Sequence, residues 1–274
     1  NFAQSVKHSL DPNLNVYVEF SNEVWNWQFK QTHYALEEGQ KRWGKDKKDA
    51  FRQWYGMRSA QMCDIWKDVF ADQKDRVTCV IATQVGWKGS EKGILECPYW
   101  VAEGNKACYQ HGIGAYAIAG YFGASLGHPD NVNKVESWLK DNDGGFQKAI
   151  QQLKTGNLLE AGREDSLPQV KELFSYHAQE AQEKGLKLMA YEGGQHIVGR
   201  KDAVNNEQLT NFFIELNRHP QMYELYTQLF KDWKEVGGTM FMHFVDVAKP
   251  TKWGSWGALE YVDQSESPKY NALM

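Results

Sequence analysis

Two glutamates, Glu23 and Glu192, stand where the sequence predicts the carboxyl ends of separate strands. Active sites of parallel α/β proteins form at that edge, because all the strands end there. One carboxyl group can protonate a leaving oxygen while a second, about 5 to 5.5 Å away, attacks the anomeric carbon of a sugar. With Asn, Tyr and Trp residues at the same edge, the pair indicates a retaining glycosidase.

Polar and aromatic residues follow the predicted strand ends and are candidates for contact with a substrate. They are Asn22, Trp25, Gln84, Tyr121, His196, Trp253 and Trp256. The chain holds 11 Trp, 13 Tyr and 13 Phe, which make up 14% of its residues. Aromatic faces cover the apolar faces of pyranoses in binding clefts, although they also fill protein cores, so composition alone does not decide between these roles.

The elements that must position these residues alternate between strand and helix along the chain. Strands are predicted at Asn15–Ser21, Arg76–Thr83, Ile113–Phe122, Leu186–Tyr191 and Thr239–Val245. The main helices are predicted at Gln28–Lys41, Asp49–Ala71, Val132–Lys140, Leu167–Lys184, Asn206–Asn217 and Pro220–Val236. This alternation, without runs of hairpins, predicts an α/β fold with a parallel sheet or barrel in a single domain.

Four ordered segments carry a resemblance to the clan A glycoside hydrolases. Val18–Asn26 resembles the Asn-Glu signature that ends their fourth barrel strand, and Met189–Gly194 resembles their seventh strand. Ala115–Gly123 resembles the sixth strand, and Trp253–Gly257 follows a segment similar to the eighth. With MxxLYxxLFxxW at Met222–Trp233, the pattern is similar to bacterial proteins of this clan that are labelled cellulose-binding or glycoside-hydrolase-like.

The resemblance implies a role for each site residue. Glu23 would be the general acid and then the base, and Glu192 the nucleophile. Asn22 would bind the sugar 2-hydroxyl, Tyr121 would donate to Glu192, and Trp253 or Trp256 would stack on the sugar.

The same resemblance implies a (β/α)8 TIM barrel, of which this chain would supply the fourth to eighth strands with their helices. Residues 1–14 are too few for three βα units, each of which needs about 30 residues. We therefore expect residues 1–274 to be the C-terminal portion of one barrel domain. An N-terminal segment or a second chain would complete it.

Two other functions remain open on the sequence. Gly123–Gly127 fits the G-x-S-x-G pattern and follows a strand, so Ser125 is a candidate serine-hydrolase nucleophile. No His follows Asp246, however, so the usual order of the triad would need an earlier Asp. The other alternative is a carbohydrate-binding protein on the same fold that does not turn over its ligand.

Several side chains near the predicted site are expected to be structural. Glu19 shares strand parity with Glu23 and is expected to form an ion pair. His196 and His243 are expected to be hydrogen-bonded structural histidines.

The net charge limits the classes of partner that the protein can bind, and the cysteines indicate its cellular compartment. A net charge of −4 gives no electrostatic case for nucleic acid or an anionic membrane. An oligo- or polysaccharide is the predicted partner, and no motif indicates a metal or cofactor. Cys63 and Cys79 are expected to be buried thiols, whereas Cys97 and Cys108 are spaced for a bridge that would imply an oxidising compartment. Polysaccharide chemistry and this bridge together suggest a secreted or periplasmic protein.

Overall fold

The computed structural model describes residues 2–159 and 165–274, and its strands form one all-parallel sheet. The strand order in the sheet, β1-β2-β3-β4-β5, is the order along the chain. The strands are β1 (Val16–Glu19), β2 (Val77–Ala82), β3 (Ile113–Phe122), β4 (Lys187–Gln195) and β5 (Gly238–Phe241). Each predicted strand segment therefore overlaps a strand, and the α/β class is confirmed.

Eleven α-helices are found among the described residues. They are α1 (Phe2–Ser9), α2 (Lys30–Trp43), α3 (Ala50–Val69), α4 (Glu91–Leu95), α5 (Pro98–Val101), α6 (Val132–Trp138), α7 (Phe146–Thr155), α8 (Leu167–Glu183), α9 (Glu207–Arg218), α10 (Met222–Glu235) and α11 (Pro268–Leu273). Short 3-10 turns lie at Lys74–Arg76, Cys108–Gln110, Pro129–Asn131 and Lys201–Asn205. The six main helices expected from the sequence are all present, and α1, α4, α5, α7 and α11 are additional.

The sequence predicted that this chain supplies the fourth to eighth strands of a TIM barrel. This prediction is wrong for the described part of the chain. The five strands form a single sheet that does not close, with β1 and β5 at its two ends. Strand and helix alternation predicts parallel pairing through helical crossovers, but closure depends on strand number, tilt and stagger. None of these three quantities can be read from hydrophobic periodicity.

Two compact units divide the chain. The first runs through Ile118 and includes Gln179–Tyr191, and the second comprises Ala119–Ala178 and Glu192–Met274. In the first unit, β1 pairs with β2 in register from Val16 opposite Val77 to Glu19 opposite Val80. The next pairing, β2 with β3, has an irregularity at Cys79/Val80.

Two disulfides lie in the first unit. Cys97 and Cys108 are bridged, which decides a pairing that their spacing had left open. Cys63 and Cys79 are also bridged, with a Cα–Cα separation of 5.7 Å, so the prediction of free thiols is wrong for them. The sequence pattern places Cys63 on a helix and Cys79 on a strand, but it does not show that α3 packs Cys63 against β2.

In the second unit, the ring of Phe241 on β5 packs where β3 and β4 carry glycine. A methyl group at Gly120 would come within 2.5 Å of that ring, and one at Gly193 would come equally close. The two glycines are therefore required by packing. Because Gly193 and Gly194 continue β4 to Gln195 and do not end it, Glu192 lies inside the strand and not after it.

Candidate functional site

In the first unit, the predicted acid/base Glu23 lies four residues beyond the end of β1. Its side chain is half-buried, and Asn26 Nδ2 donates a hydrogen bond of 2.9 Å to Glu23 Oε2. The same turn is closed by a backbone hydrogen bond from Asn26 N to Glu23 O. Asn22, which precedes Glu23, is half-buried, and its side chain makes no hydrogen bond to a described residue. An amide in this state has its full hydrogen-bonding capacity for a ligand.

A buried tyrosine on α3 ties the two strand ends of this region together. The Tyr55 hydroxyl donates to the carbonyl of Ser21, just after β1, and accepts from the amide of Ala82, the last residue of β2. Tyr55 is 1% exposed, and burial raises the pKa of its hydroxyl. The turn that carries Asn22 and Glu23 is thus anchored by one side chain.

Glu19, the last residue of β1, is a buried carboxyl group without an ion pair. Its Oε1 has no hydrogen-bond partner among the described residues, and burial raises its pKa from 4.5 to about 7. The expected ion pair is therefore not found in this part of the chain. A carboxyl group with a pKa near neutrality can exchange a proton at physiological pH, which is the property of a general acid.

Two of the predicted aromatic and polar candidates lie in loops of the first unit. Trp25 packs edge-on against Trp87, with ring centroids 6.1 Å apart, and its indole nitrogen has no partner among the described residues. Gln84 is two residues beyond β2 and is half-buried. The Trp25 indole N–H is a hydrogen-bond donor for a bound group.

In the second unit, an aromatic cluster forms around His196. Its imidazole lies 5.4 Å from the Tyr121 ring and 5.2 Å from the Trp256 ring, measured between centroids. Tyr121 and Trp256 are themselves 6.0 Å apart. Tyr121 is in β3, and His196 follows β4, four residues after Glu192. The structure thus joins three predicted substrate-contact residues in one cluster.

His196 is a neutral imidazole in this cluster. Burial, together with the charge of Arg200, lowers its pKa from 6.5 to about 4. Nδ1 is buried without a partner among the described residues, whereas the backbone N–H of His196 donates to Phe122 O. The expectation of a fully hydrogen-bonded histidine is therefore wrong here. A buried, unpaired ring nitrogen costs stability, and such groups call for a functional explanation.

The two tryptophans predicted as sugar platforms differ in their surroundings. Trp256 is half-buried in the aromatic cluster and donates its indole N–H to the carbonyl of Trp253. Trp253 is 64% exposed, with Lys252 Nζ 5.0 Å above its ring. Trp256 therefore belongs to the cluster, and Trp253 lies on the surface.

His243 also keeps one ring nitrogen unpaired. Its Nε2 lies 3.2 Å from the Tyr226 hydroxyl, which accepts from the backbone of Gln195. Nδ1 of His243 has no partner among the described residues, and burial lowers the pKa of the ring to about 4. Only one of its two nitrogens therefore fits the structural role that the sequence suggested.

Ser125, the alternative nucleophile, is buried in a polar network. Its hydroxyl donates to Asp165, and its carbonyl accepts from Asn131 Nδ2 at 3.0 Å. Gln152 Nε2 donates to the other oxygen of Asp165. Within residues 2–159 and 165–274, no histidine ring hydrogen-bonds the Ser125 hydroxyl. These contacts favour a structural role for Ser125.

Sequence reasoning missed the chemistry of Glu19 and of Lys269. Strand parity did indicate that Glu19 points inward, but the absence of a counter-ion depends on side chains far away in sequence. Lys269 is 5% exposed, and burial lowers its pKa to about 7. No pattern around Lys269 predicts this burial.

The described part of the chain contains neither a metal-ligand cluster nor a membrane-spanning helix. No group of three or more His, Cys, Asp or Glu side chains there could hold a metal ion. Nor is any helix in residues 2–159 or 165–274 both long enough and apolar enough to cross a membrane.

Comparison with protein-family models, with curated proteins and with solved structures gave no match.

Proposed function

We propose that the chain is a retaining glycoside hydrolase that acts on an oligo- or polysaccharide, with Glu192 as the nucleophile and Glu23 as the acid/base. The observation that supports this most is the Tyr121–His196–Trp256 cluster, whose His196 lies four residues after Glu192. Aromatic faces with polar edges suit the alternating apolar and hydroxyl-bearing faces of a sugar. The assignment of Glu192 as the nucleophile and Glu23 as the acid/base rests on the resemblance to the clan A glycoside hydrolases.

The proposed reaction has two steps. The Glu192 carboxylate attacks the anomeric carbon while the glycosidic C–O bond breaks and Glu23 gives its proton to the leaving oxygen. Water then attacks the same carbon, Glu23 takes the water's proton, and the bond to Glu192 breaks. The sugar leaves with its original anomeric configuration, and both carboxyl groups return to their starting states.

Glu19 gives the proposal a second acid to test. The Glu19 pKa of about 7 is the value that a proton donor needs at neutral pH. Glu19 lies four residues before Glu23 in the sequence. If Glu19 gave the proton, Glu19→Gln would remove the alkaline limb of the pH profile, and Glu23→Gln would leave it in place.

The experiment is hydrolysis of aryl β-glycosides and of soluble β-glucans and β-mannans, followed by product release and by proton NMR of the first-formed anomer. We expect retention, and a loss of at least 10³-fold in kcat for Glu192→Ala. Glu172→Ala, on the exposed face of α8, is the matched control and should leave kcat unchanged. An inverted product would remove Glu192 as nucleophile. Binding without release, unaffected by Glu192→Ala, would establish the non-catalytic alternative.

Export is part of the same proposal. All four cysteines are bridged in two disulfides, and structural disulfides persist in oxidising compartments. This supports a secreted or periplasmic protein, where polysaccharide substrates are found.

A further inference from the structure

The second unit contains a pocket of about 330 Å³ that none of the proposed catalytic or sugar-contact residues lines. Its wall is built by the end of α9, the loop from Ala248 to Ser267 and the start of α11. Asn217, Ser255, Glu260, Gln264 and Lys269 are among the lining residues. The volume is at the lower end of the range for small-molecule sites.

Lys269 places a buried amine in the wall of this pocket. Nζ donates to Asn217 Oδ1 at 3.2 Å and to the Ser255 carbonyl at 2.5 Å. An ammonium has three N–H groups, and in the described part of the chain only these two oxygens accept from it. Both acceptors are uncharged, so they do not balance the positive charge of the ammonium. The third N–H and this charge are therefore available to a bound group.

The carboxylates near Lys269 do not neutralise it. Glu260 accepts two hydrogen bonds of 2.8 Å from Arg218, so its charge is already balanced. Glu266 is exposed on the pocket rim, and within residues 2–159 and 165–274 no carboxylate oxygen lies within ion-pair distance of Lys269. His243, which Lys269 also influences, is neutral at physiological pH. A charged ammonium without a counter-ion is unfavourable at such a site, so the amine either loses its proton or gains free energy by binding an anion.

The two acceptors are held in place without a ligand. The Ser255 carbonyl also accepts from Gln195 Nε2 at 2.8 Å, and Asn217 Nδ2 donates to Phe213 O at 2.9 Å. Both contacts are buried. Nζ is therefore fixed before any ligand enters, which lowers the ordering cost of binding.

We propose that this pocket binds a small hydroxy-carboxylate of hexuronate size, whose carboxylate pairs with the Lys269 ammonium and whose hydroxyls contact the polar wall at Gln264 and Glu260. The site holds whether or not the chain hydrolyses glycosides, because none of the proposed catalytic groups takes part. Desolvation, opposed in part by Glu260, lowers the pKa of Lys269 to about 7 in the empty pocket. Anion binding favours the charged amine, so affinity must fall as the pH rises through that value.

The test is calorimetric titration of the whole protein with sodium D-glucuronate at constant ionic strength. D-Glucose is the neutral control, and sodium acetate is the control for a bare carboxylate. We expect saturable glucuronate binding at least tenfold tighter than either control, and roughly tenfold weaker binding at pH 8 than at pH 6, as the protonated fraction of Lys269 falls. Equal affinity for glucose, absence of saturation or a pH-independent affinity would overturn the proposal. Acetate binding as tightly as glucuronate would overturn the assignment of the hydroxyl contacts.

Lys269→Met assigns the binding to this pocket. We expect at least a tenfold loss of glucuronate affinity, whereas Lys231→Met, an exposed lysine on α10 outside the pocket, should bind as the wild type does. Unchanged affinity in a folded Lys269→Met protein would sink the idea. If that variant does not fold, the pH dependence of the wild type decides the question alone.

Discussion

At the scale of single residues, two acidic groups that share a predicted strand face differ in their surroundings. Glu19 and Glu23 share strand parity, yet Glu19 is buried without a partner, and Glu23 is held by Asn26. The sequence predicted both positions from alternation along β1. It could not predict their electrostatics, because the burial that raises the pKa of Glu19 comes from residues distant in sequence. Burial, together with the charge of Glu19, in turn raises the pKa of Tyr55, which is 36 residues away.

Glu19 should reduce the stability of the fold at neutral and alkaline pH. Its pKa is 4.5 in an unfolded chain and about 7 in the folded state, so between these values the folded state holds the extra proton. Stability is then lost as the pH rises from about 4.5 through about 7, and Glu19→Gln should avoid this loss. We expect Glu19→Gln to be more stable than the wild type at pH 8 by about 1 to 3 kcal/mol, and equal to it near pH 4.5.

Urea unfolding at the two pH values measures this effect. Glu172→Gln, an exposed glutamate on α8, is the matched control and should change neither value by more than about 0.5 kcal/mol. A Glu19→Gln protein that is less stable at pH 8 would contradict the burial of an unpaired carboxylate.

At the scale of elements, periodicity predicted where the strands and main helices lie but not how they approach each other. β3 matches its predicted bounds, because its apolar run is covered on both faces. β4 extends beyond its predicted end, since two glycines that suggest a turn serve instead to admit Phe241. On α3, Ile65 is 55% exposed, whereas Trp54 is buried. Which face of a helix is covered depends on its neighbours.

Tyr55 connects three elements, and we expect its hydroxyl to matter for stability. Tyr55→Phe would leave the Ala82 amide and the Ser21 carbonyl without their buried partner. The expected cost is about 1 to 3 kcal/mol in the free energy of unfolding, because a buried group without a partner bears its full desolvation penalty.

Tyr34→Phe on α2 is the control, since Tyr34 is 55% exposed, and it should be neutral in the same urea experiment. Tyr55→Phe with wild-type stability would show that the two backbone groups find other partners. Retained stability with lost sugar hydrolysis would instead place Tyr55 in the positioning of Glu23.

At the scale of the whole molecule, the described residues divide into two compact units that carry different chemistry. The first contains both disulfides, Glu19 and Glu23, and the second contains the aromatic cluster and the Lys269 pocket. The α/β class could be predicted from alternation alone. The open sheet could not, because pairing at the sheet ends is a property of the assembled strands.

Reduction should destabilise the protein through the Cys63–Cys79 bridge. The cysteines are 16 residues apart, and closing a loop of that size contributes about 3 kcal/mol by restricting the unfolded chain. We expect the double variant Cys63→Ala/Cys79→Ala to unfold at a lower urea concentration, with a loss of about 2 to 4 kcal/mol.

The Cys97–Cys108 bridge closes a shorter loop, of 11 residues, so the double variant Cys97→Ala/Cys108→Ala serves as the comparison, with a somewhat smaller expected loss. Wild type treated with dithiothreitol should have the same urea midpoint as a variant with all four cysteines replaced by Ala, because neither protein then contains a disulfide. A wild type whose urea midpoint is unchanged by the reductant would contradict a contribution from either disulfide.

The contact of Phe241 with Gly120 and Gly193 has a consequence for redesign. The Phe241 ring occupies the space that side chains at Gly120 and Gly193 would need. The side-chain volumes at these three positions are therefore coupled. A larger residue at either glycine is acceptable only with a smaller one at Phe241, and neither substitution alone keeps that volume constant. Since Gly193 directly follows Glu192, a library that varies the proposed nucleophile's neighbours must vary these three positions jointly.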